Sequence, residues 1–385
     1  WLAQNRFFVP AGTDAAVNPY IRPGAYFLAL KLQKGNDTGD IQPIVVRYPS
    51  SLPMIPIVLT SVAANPDMGV AAWVLGEARA IPRNYYHTVL NDAAIDWVNA
   101  GRNYGEVLTR AVDDAPGHHS FVTGYAGPSS IMVDILDYSW RFGDPRVLET
   151  LTGAVDYVNY LNYHGYPIQD PSFANIPQYT SQMLAILQRH LTPPAALLAR
   201  ELIDANAYYY NIEYWLGYYR SVHPELFVDV DETFDPIAMT AEIEERVIAP
   251  TRAAGQLFRN NSYLTRLFTT MSPNEMTKDP VFSFNPDLPP VSNTHTGSLI
   301  YSCGLFGAQL DISAMPATLV TEQGWTMSMP SGTAQNTWPG ASMPASLRTE
   351  ILREEGAPEV VLNNAAEIAD ALGGRAGGCA VVAGV

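Results

Sequence analysis

Residues 104–115 read Tyr-Gly-Glu-Val-Leu-Thr-Arg-Ala-Val-Asp-Asp-Ala, and they mark the point where the hydrophobic pattern of the chain changes. From residue 104 onward, apolar residues recur about every 3.6 positions, which predicts helices. Before this point the apolar runs are short and separated by turn residues and prolines, which is typical of an antiparallel sheet. Strands are predicted there over residues 25–32, 41–48, 55–61 and 71–79. The change of period therefore predicts an α+β fold.

The sequence beyond residue 128 continues the helical pattern and then loses it. Helices are predicted over residues 129–140, 145–161, 177–191, 193–215 and 235–268. A break is expected at Pro250, because proline removes a helical hydrogen bond. Further along, strands are predicted within 317–329 around Gln323-Gly324, a helix over 344–355, a strand over 359–362, and a last helix that follows Asn363-Asn364 and ends at Leu372.

These patterns predict an antiparallel β-rich N-terminal block, a helical middle and a small mixed α/β C-terminal block. The predicted boundaries are a β-rich domain at 1–95, a helical domain at 96–270, a proline-rich connection at 271–298, a mixed region at 299–373 and a Gly-rich tail at 374–385. The opening Trp1-Leu2-Ala3 matches the end of a helix, and the tail ends in an apolar run. We therefore expect a fragment of a longer precursor, with a C-terminal anchor beyond the tail.

The composition excludes several classes of protein. The chain has 385 residues, 47% of them hydrophobic and 16% charged, so it can build a core and is not a disordered chain. It carries 22 Lys+Arg against 38 Asp+Glu, a net charge of −16. A nucleic-acid partner is therefore not expected, because phosphate binding needs clustered basic residues. No apolar run is long enough to predict a membrane span.

Two clusters are candidates for binding a metal ion. His118 and His119 are adjacent, and imidazoles are common metal ligands and general bases. Asp229, Asp231 and Asp235 alternate along a loop, as oxygen ligands of Ca²⁺ can do, although the EF-hand pattern is not met. Hydrogen-bonded loop histidines and helix capping by Asp235 explain the same residues without an ion.

Tyrosine and tryptophan are concentrated over residues 208–219. The candidate binding surface comprises Tyr208, Tyr209, Tyr214, Trp215 and Tyr218. Such side chains offer a large area with a polar tip, which suits a glycan or a protein partner. On a helix, however, consecutive residues point in different directions, so packing within the protein is the alternative.

The sequence contains none of the common templates for catalysis or phosphate binding. Gly-x-Ser-x-Gly, Ser-x-x-Lys and Gly-x-Gly-x-x-Gly are absent, and no catalytic residue is assigned. Two cysteines, Cys303 and Cys379, leave the disulfide partner of Cys303 open. Arg266 is expected to pair with Asp279 or Asp287 and so to hold the proline-rich connection in place.

Several N-terminal motifs resemble the bacterial family catalogued as domain of unknown function 2330: Tyr20-Ile21-Arg22-Pro23-Gly24-Ala25-Tyr26-Phe27, Ile41-Gln42-Pro43-Ile44, Pro56-Ile57 and Asn84-Tyr85-Tyr86. A later block, residues 263–289, is similar to the longer, myxobacterial-type members. Gly377-Gly378-Cys379 resembles the start of the myxobacterial C-terminal sorting signal, which makes Cys379 a candidate anchor or processing residue.

The resemblance implies export to the cell surface or periplasm, and it brings no activity. The leading hypothesis is an exported cell-envelope protein that acts as a non-enzymatic binding or structural module, with an unknown protein or glycan as partner. The alternative is a metal-dependent hydrolase that uses His118 and His119 or the cluster at residues 229–235. Ca²⁺ is the cofactor considered for that cluster.

Overall fold

A computed structural model describes residues 4–27, 46, 49–136, 139–166, 182–200, 208–209, 211–227, 234–301, 317–329 and 342–373. It combines helices with sheets that are mostly antiparallel, so the predicted α+β class is confirmed. The strands predicted at 25–32 and 41–48 fall almost entirely outside these residues. Asp229, Asp231, Cys303 and Cys379 also lie outside them.

The strands are β1 (Met68–Gly76), β2 (Arg79–Pro82), β3 (Tyr86–Leu90), β4 (Ser120–Pro128), β5 (Tyr263–Met271), β6 (Phe282–Asn285), β7 (Gly297–Tyr301), β8 (Ala317–Thr321), β9 (Thr326–Met329), β10 (Ser346–Ile351) and β11 (Glu359–Asn363).

The α-helices are α1 (Thr13–Val17), α2 (Ile57–Thr60), α3 (Tyr104–Asp113), α4 (Ser130–Leu136), α5 (Pro145–Leu148), α6 (Ala154–Tyr163), α7 (Gln182–His190), α8 (Ala195–Ala199), α9 (Arg220–Val222), α10 (Pro236–Ile243), α11 (Ala249–Asn260) and α12 (Ala365–Ala371). Two π-helical segments are π1 (Tyr214–Tyr219) and π2 (Glu244–Ile248). Among the described residues, no helix has the length and apolar character needed to cross a bilayer.

The chain divides into two compact units. The described residues of the sheet unit fall within 1–28, 48–129 and 261–385, and those of the helical unit fall within 29–47 and 130–260. Most of the helical unit is therefore inserted between β4 and β5, which pair with each other in the sheet. The domain boundaries expected from the sequence, with a helical domain at 96–270, stay a prediction.

A six-stranded sheet with the order β1-β5-β4-β3-β10-β11 forms the centre of the sheet unit. Its neighbours are antiparallel except β3 and β4, which are parallel. A parallel pair needs a crossover connection, and α3 provides it between β3 and β4. Smaller sheets are formed by β2-β6 and by β7-β8-β9.

Both faces of the central sheet are covered, because successive side chains of a strand point to opposite faces. On β4, Val122 packs in one cluster with Val107 and Ala111 of α3, whereas Phe121 packs in another with Phe282 of β6. In the helical unit, residues of α6, α7 and α10 share one apolar core that includes Tyr157, Leu187 and Met239. Each unit thus has its own hydrophobic core.

Three predicted elements are wrong in type. Residues 344–355 were predicted to form a helix, but they contain β10. This strand pairs with β3 and β11, which provide hydrogen-bond partners for its backbone N–H and C=O groups. Residues 55–61 were predicted to form a strand and instead contain α2. The helix predicted to reach residue 268 ends at Asn260, and β5 follows because its threonines fit between two strands.

Pro250 does not end the helix in which it lies. The helical backbone continues from α10 through π2 into α11, and Pro250 is the second residue of α11. The wider π turn immediately before the proline is a known way to accommodate a missing helical hydrogen bond. Other elements agree with the sequence: helix 104–113, the turn at Gly324 between β8 and β9, and the final helix after Asn363-Asn364.

Candidate functional site

Three segments of the sheet unit meet at one end of the central sheet. The turn at residues 116–118 leads into β4, Ser272 follows the last residue of β5, and Asp67 precedes β1. Because β5 is antiparallel to both β1 and β4, the starts of β1 and β4 lie beside the end of β5. This register brings His118 next to Glu275, although 157 positions separate them in the sequence.

His118 has two carboxylates as neighbours. Its Nδ1 lies 2.7 Å from Oε1 of Glu275 and 3.8 Å from Oδ1 of Asp113, the last residue of α3. Within the described part of the chain, these residues form one group of three side chains whose potential metal-ligating atoms all lie within 4.8 Å of one another. We call Asp113, His118 and Glu275 the His118 cluster.

Hydrogen bonds hold the His118 cluster in position. The second carboxylate oxygen of Glu275 accepts the backbone N–H of Ser272 at 2.7 Å. The backbone N–H of His118 donates to the carbonyl of Ala115, and Gly117 and His118 both have positive φ angles, 68° and 57°. Positive φ is uncommon outside glycine, and this tight turn defines the backbone position from which the imidazole extends.

The charge around Asp113 is unfavourable for a carboxylate. Burial raises its pKa, as do the nearby charges of Glu275, Asp67 and Asp114, while His118 alone among the named neighbours lowers it. Asp113 also ends a helix, where the helix dipole disfavours negative charge. A cation at this place would therefore be stabilised.

Neither His119 nor Asp235 belongs to this group of three potential ligands. His119 points its Nε2 to the backbone carbonyl of Glu275 at 2.7 Å and lies 3.2 Å from the hydroxyl of Thr277. Asp235 caps α10, where its Oδ1 accepts the N–H groups of Ile237 and Ala238. Both side chains therefore have hydrogen-bonding roles, and Asp235 belongs to the helical unit.

A second candidate site lies in the helical unit, between α6 and the segment that contains π1. It is an open groove of about 760 Å³ lined by Asn159, Asn162, Tyr163, Asn211, Glu213, Tyr214, Gly217 and Tyr218. The tyrosine rings are accessible: Tyr163 is 81% exposed, Tyr218 64% and Tyr214 45%. We call this surface the tyrosine groove.

The wall of the tyrosine groove is supported from behind. Tyr214 packs edge-on against Trp215, which in turn packs edge-on against Tyr219, each at a ring distance of 5.0 Å. Trp215 and Tyr219 are half-buried against the helical core. The ring centres of Tyr214 and Tyr218 lie 5.7 Å apart, because the helical turn places side chains four positions apart on the same side.

The sequence-derived aromatic surface divides in the structure. Tyr214 and Tyr218 line the tyrosine groove, and Trp215 supports it. Tyr208 and Tyr209 are 3% and 0% exposed and belong to the core, with the Tyr209 hydroxyl bonded to the carbonyl of Leu191. Burial raises the pKa of both tyrosines. The burial of Tyr208 and Tyr209 agrees with the alternative interpretation, in which these tyrosines pack inside the protein.

A third polar group is buried within the sheet unit. Nδ1 of His87 lies 3.1 Å from Oε2 of Glu350. The other ring nitrogen, Nε2, lies 3.0 Å from the hydroxyl of Thr123 and 3.4 Å from Nη2 of Arg79. Since a guanidinium can only donate, Nε2 is the acceptor and Nδ1 carries the proton that Glu350 accepts. Burial lowers the pKa of His87, which keeps the imidazole neutral.

This buried group joins strands rather than opening a site. Arg79 also donates to the carbonyl of Pro289, and Arg348 pairs with the second oxygen of Glu350. Hydroxyl, imidazole and carboxylate follow the order of an acid–base relay. Here, however, Arg79 also contacts the imidazole nitrogen, and the imidazole and carboxylate are 4% and 3% exposed, so this group is enclosed by the sheet unit.

Sequence reasoning missed most partners of the candidate sites. Asp113 and Glu275 join His118 only through the sheet register, and Asn159, Asn162 and Tyr163 reach the tyrosine groove only through packing of α6. Arg266 does not pair with Asp279 or Asp287. It donates to the carbonyl of Gly124 and covers the ring of Trp73. Asp279 instead accepts hydrogen bonds from Tyr20 and Val58.

The described residues define an α+β protein of two compact units. Residues 1–181 match the model of a family described as uncharacterized protein conserved in bacteria, DUF2330. The resemblance to domain of unknown function 2330 is therefore confirmed over that part of the chain. No curated protein and no solved structure shows significant similarity to the chain. The family description carries no activity, so function has to be argued from the sites.

Proposed function

We propose that this protein is an exported, non-enzymatic binding module of the bacterial cell envelope, and that the tyrosine groove is its binding site for a neutral glycan. The observation that carries this proposal is the composition of the groove. Three exposed tyrosines, three asparagines and one glutamate share one open surface of about 760 Å³.

The side chains of the groove suit a sugar. A tyrosine ring has an apolar face, which can cover the C–H face of a sugar ring, and a hydroxyl that bonds to water or to a ligand. An asparagine side chain offers two donors and an acceptor, which match the hydroxyl groups of a sugar. Asn159, Asn162 and Asn211 place such amides beside Tyr163, Tyr214 and Tyr218.

The charge of the groove favours a neutral glycan over an anionic one. Glu213 is exposed at the groove and receives a hydrogen bond from Asn159 at 3.3 Å. Among the described residues that line the groove there is no lysine or arginine, and the whole chain has a net charge of −16. An anionic ligand would therefore be repelled, whereas the carboxylate can accept hydrogen bonds from sugar hydroxyls.

The export part of the proposal depends on the family resemblance and on the sorting-signal-like residues around Cys379. Its test is fractionation of bacterial cells that express the protein from its native gene, followed by protease treatment of intact cells. Recovery in the envelope fraction supports export. Recovery in the cytoplasm alone would contradict it.

Glycan binding is tested by calorimetry and saturation-transfer NMR with a panel of neutral hexose and N-acetylhexosamine oligosaccharides. We expect the double variant Tyr163→Ala/Tyr218→Ala to bind at least about tenfold more weakly, since loss of two aromatic contacts of this kind costs more than about 1.4 kcal/mol. The matched control is Tyr26→Ala, because Tyr26 is 96% exposed and lies in the sheet unit.

Gly217→Leu is a second variant that separates binding from folding. A Cβ at Gly217 would meet no atom within 4 Å, so the added side chain enters open space at the groove. Replacing a helical glycine also favours the helix by roughly 0.5–1 kcal/mol. We therefore expect an equal or higher melting temperature together with weaker binding. Binding unchanged in both groove variants would contradict the proposed site.

A protein partner is the competing outcome. Capture of a protein from an envelope extract that requires Tyr163 and Tyr218 and is not displaced by oligosaccharides would replace the glycan with a protein. Absence of binding to every neutral oligosaccharide of the panel would contradict the glycan as ligand.

A further inference from the structure

The His118 cluster supports an inference that does not depend on the tyrosine groove. It lies in the sheet unit, and it gathers an imidazole and two carboxylates from three separate segments. We propose that Asp113, His118 and Glu275 bind a divalent transition-metal ion of the Zn²⁺ or Mn²⁺ type.

The distances are compatible with a metal after small side-chain rotations. A metal bound at about 2.1 Å from each ligand atom requires ligand atoms about 3.0–3.4 Å apart. The imidazole nitrogen of His118 now lies 2.7 Å from Glu275 and 3.8 Å from Asp113. The side chains of Asp113 and His118 are 42% and 47% exposed, so both can rotate, and an ion can enter from solvent.

In the metal-free arrangement, the proton on Nδ1 of His118 lies where the metal ion would bind. The short contact to Glu275 requires a proton between the two atoms, and metal binding replaces this proton because only the deprotonated nitrogen is a ligand. Negative charge remains when the proton leaves, since Asp113 and Glu275 face the same point. The ion would neutralise that charge.

The surroundings orient the ligands as outer interactions do in metal centres. Glu275 is held by the N–H of Ser272 and, through its backbone carbonyl, by His119. Ser272 is in turn hydrogen-bonded to Asp67 at 3.1 Å. Such second contacts fix ligand direction, and their loss typically weakens metal affinity about 10-fold to 100-fold.

The donor set selects the kind of metal. Imidazole nitrogen suits Zn²⁺ and related ions, whereas Ca²⁺ and Mg²⁺ prefer sets made of oxygen alone. One nitrogen and two carboxylates therefore favour Zn²⁺ or Mn²⁺ over Ca²⁺. Three protein ligands leave coordination positions for water or another molecule.

The experiment is calorimetry and equilibrium dialysis with tag-free, metal-stripped full chain and ZnCl₂, with MnCl₂ and CaCl₂ in parallel. We expect one Zn²⁺ or Mn²⁺ per chain and a melting temperature that rises with the ion and falls again with EDTA. His118→Ala and Glu275→Gln should weaken binding about a hundredfold.

The control variant is His223→Ala. His223 lies 3.4 Å from Glu225 in the helical unit and is similarly exposed, and among the described residues no third potential ligand joins this histidine–carboxylate pair. We expect it to bind the ion as the wild type does. We expect Asp113→Asn to fold at least as stably as the wild type, since it removes a carboxylate that burial and like charges disfavour. This variant therefore tests the loss of a ligand without a loss of stability.

Three results would overturn the proposal. The first is the absence of bound Zn²⁺ and Mn²⁺ at millimolar concentration in a folded chain. The second is binding that His118→Ala, Glu275→Gln and Asp113→Asn leave unchanged. The third is selective binding of Ca²⁺, which would contradict the assigned class of metal. None of these results would affect the glycan proposal, which concerns the other unit.

Discussion

The sheet unit and the helical unit bury different kinds of side chain. In the sheet unit Arg79, His87, Asp92 and Glu350 are all at most 6% exposed. Among the described residues of the helical unit, the buried polar side chains are Thr240 and Thr251. Both units have apolar clusters, but only the sheet unit combines its cluster with buried charge in the described part of the chain.

This difference follows from how each unit satisfies its backbone. A helix satisfies its own N–H and C=O groups, so helices can pack through side chains that are wholly apolar. Strands depend on neighbours, and side chains such as those of His87 and Glu350 can bridge β3 and β10 across the sheet. We therefore expect the stability of the sheet unit to depend on pH more strongly than that of the helical unit, whose polar side chains lie mostly on its surface.

The largest effect is expected from Glu350→Ala. The substitution leaves the N–H of His87 and the guanidinium of Arg348 without their acceptor. An unsatisfied buried donor costs about 1–3 kcal/mol, and more where a charge is involved; because two donors lose the same acceptor here, we expect a total of about 3–5 kcal/mol. Urea titration with pulsed hydrogen exchange should show a loss of about this size in peptides of the sheet unit.

The control for this prediction lies on the next strand. Glu359→Ala removes an exposed partner of Arg353, and we expect a change below about 1 kcal/mol. Equal destabilisation by both glutamate variants would contradict the importance of burial. Protection lost first in helical peptides would contradict the assignment of the effect to the sheet unit.

A somewhat smaller effect is expected from Leu187→Ala in the helical core. Leu187 is 0% exposed, and removing a buried leucine costs about 2–4 kcal/mol through lost burial and the cavity left behind. Peptides of α6, α7 and α10 should lose protection in the same experiment. Leu198→Ala is the matched control, because Leu198 is 36% exposed, and it should change stability much less.

The smallest predicted effect is the pH dependence of the sheet unit. Burial lowers the pKa of His87, so the folded state binds fewer protons than the unfolded chain, in which histidine titrates near 6.5. Stability should therefore fall as the pH decreases below about 6.5, by roughly 1 kcal/mol per pH unit.

Glu350 extends this loss to lower pH. Burial alone would raise its pKa, but the hydrogen bonds from His87 and Arg348 outweigh burial and lower the pKa. Its contribution is present above the unfolded carboxyl pKa and is lost as the pH falls through the folded value. His87→Gln should flatten the dependence between pH 7 and 5.5 in urea titrations. An unchanged slope in this variant would exclude His87 as the source.

Part of the fold could be predicted because its signals are local. The apolar period over residues 104–115 predicted α3, and Gly324 with φ 86° lies in the predicted turn between β8 and β9. Asp235 caps α10 as its sequence position indicated. The helix predicted at 344–355 failed because an amphipathic period in a short segment is weaker than the pairing that β3 and β11 provide.

The candidate sites could be predicted only in fragments for the same reason. His118 was found by its residue type, and Tyr214, Trp215 and Tyr218 by their density in the sequence. Tyr208 belongs to the same run of tyrosines yet is buried, since the direction of a helical side chain decides what it contacts. Sequence spacing alone could not separate these tyrosines.

The sequence by itself determined the α+β class, the family resemblance and the positions of many helices, because periodicity, caps and turn residues act over a few positions. Only the tertiary structure decided that β4 lies between β3 and β5 and that residue 275 meets residue 118. Such contacts arise from strand register and packing over more than a hundred residues. The sequence therefore shows which side chains are available for a site, but the tertiary fold determines which of them come into contact.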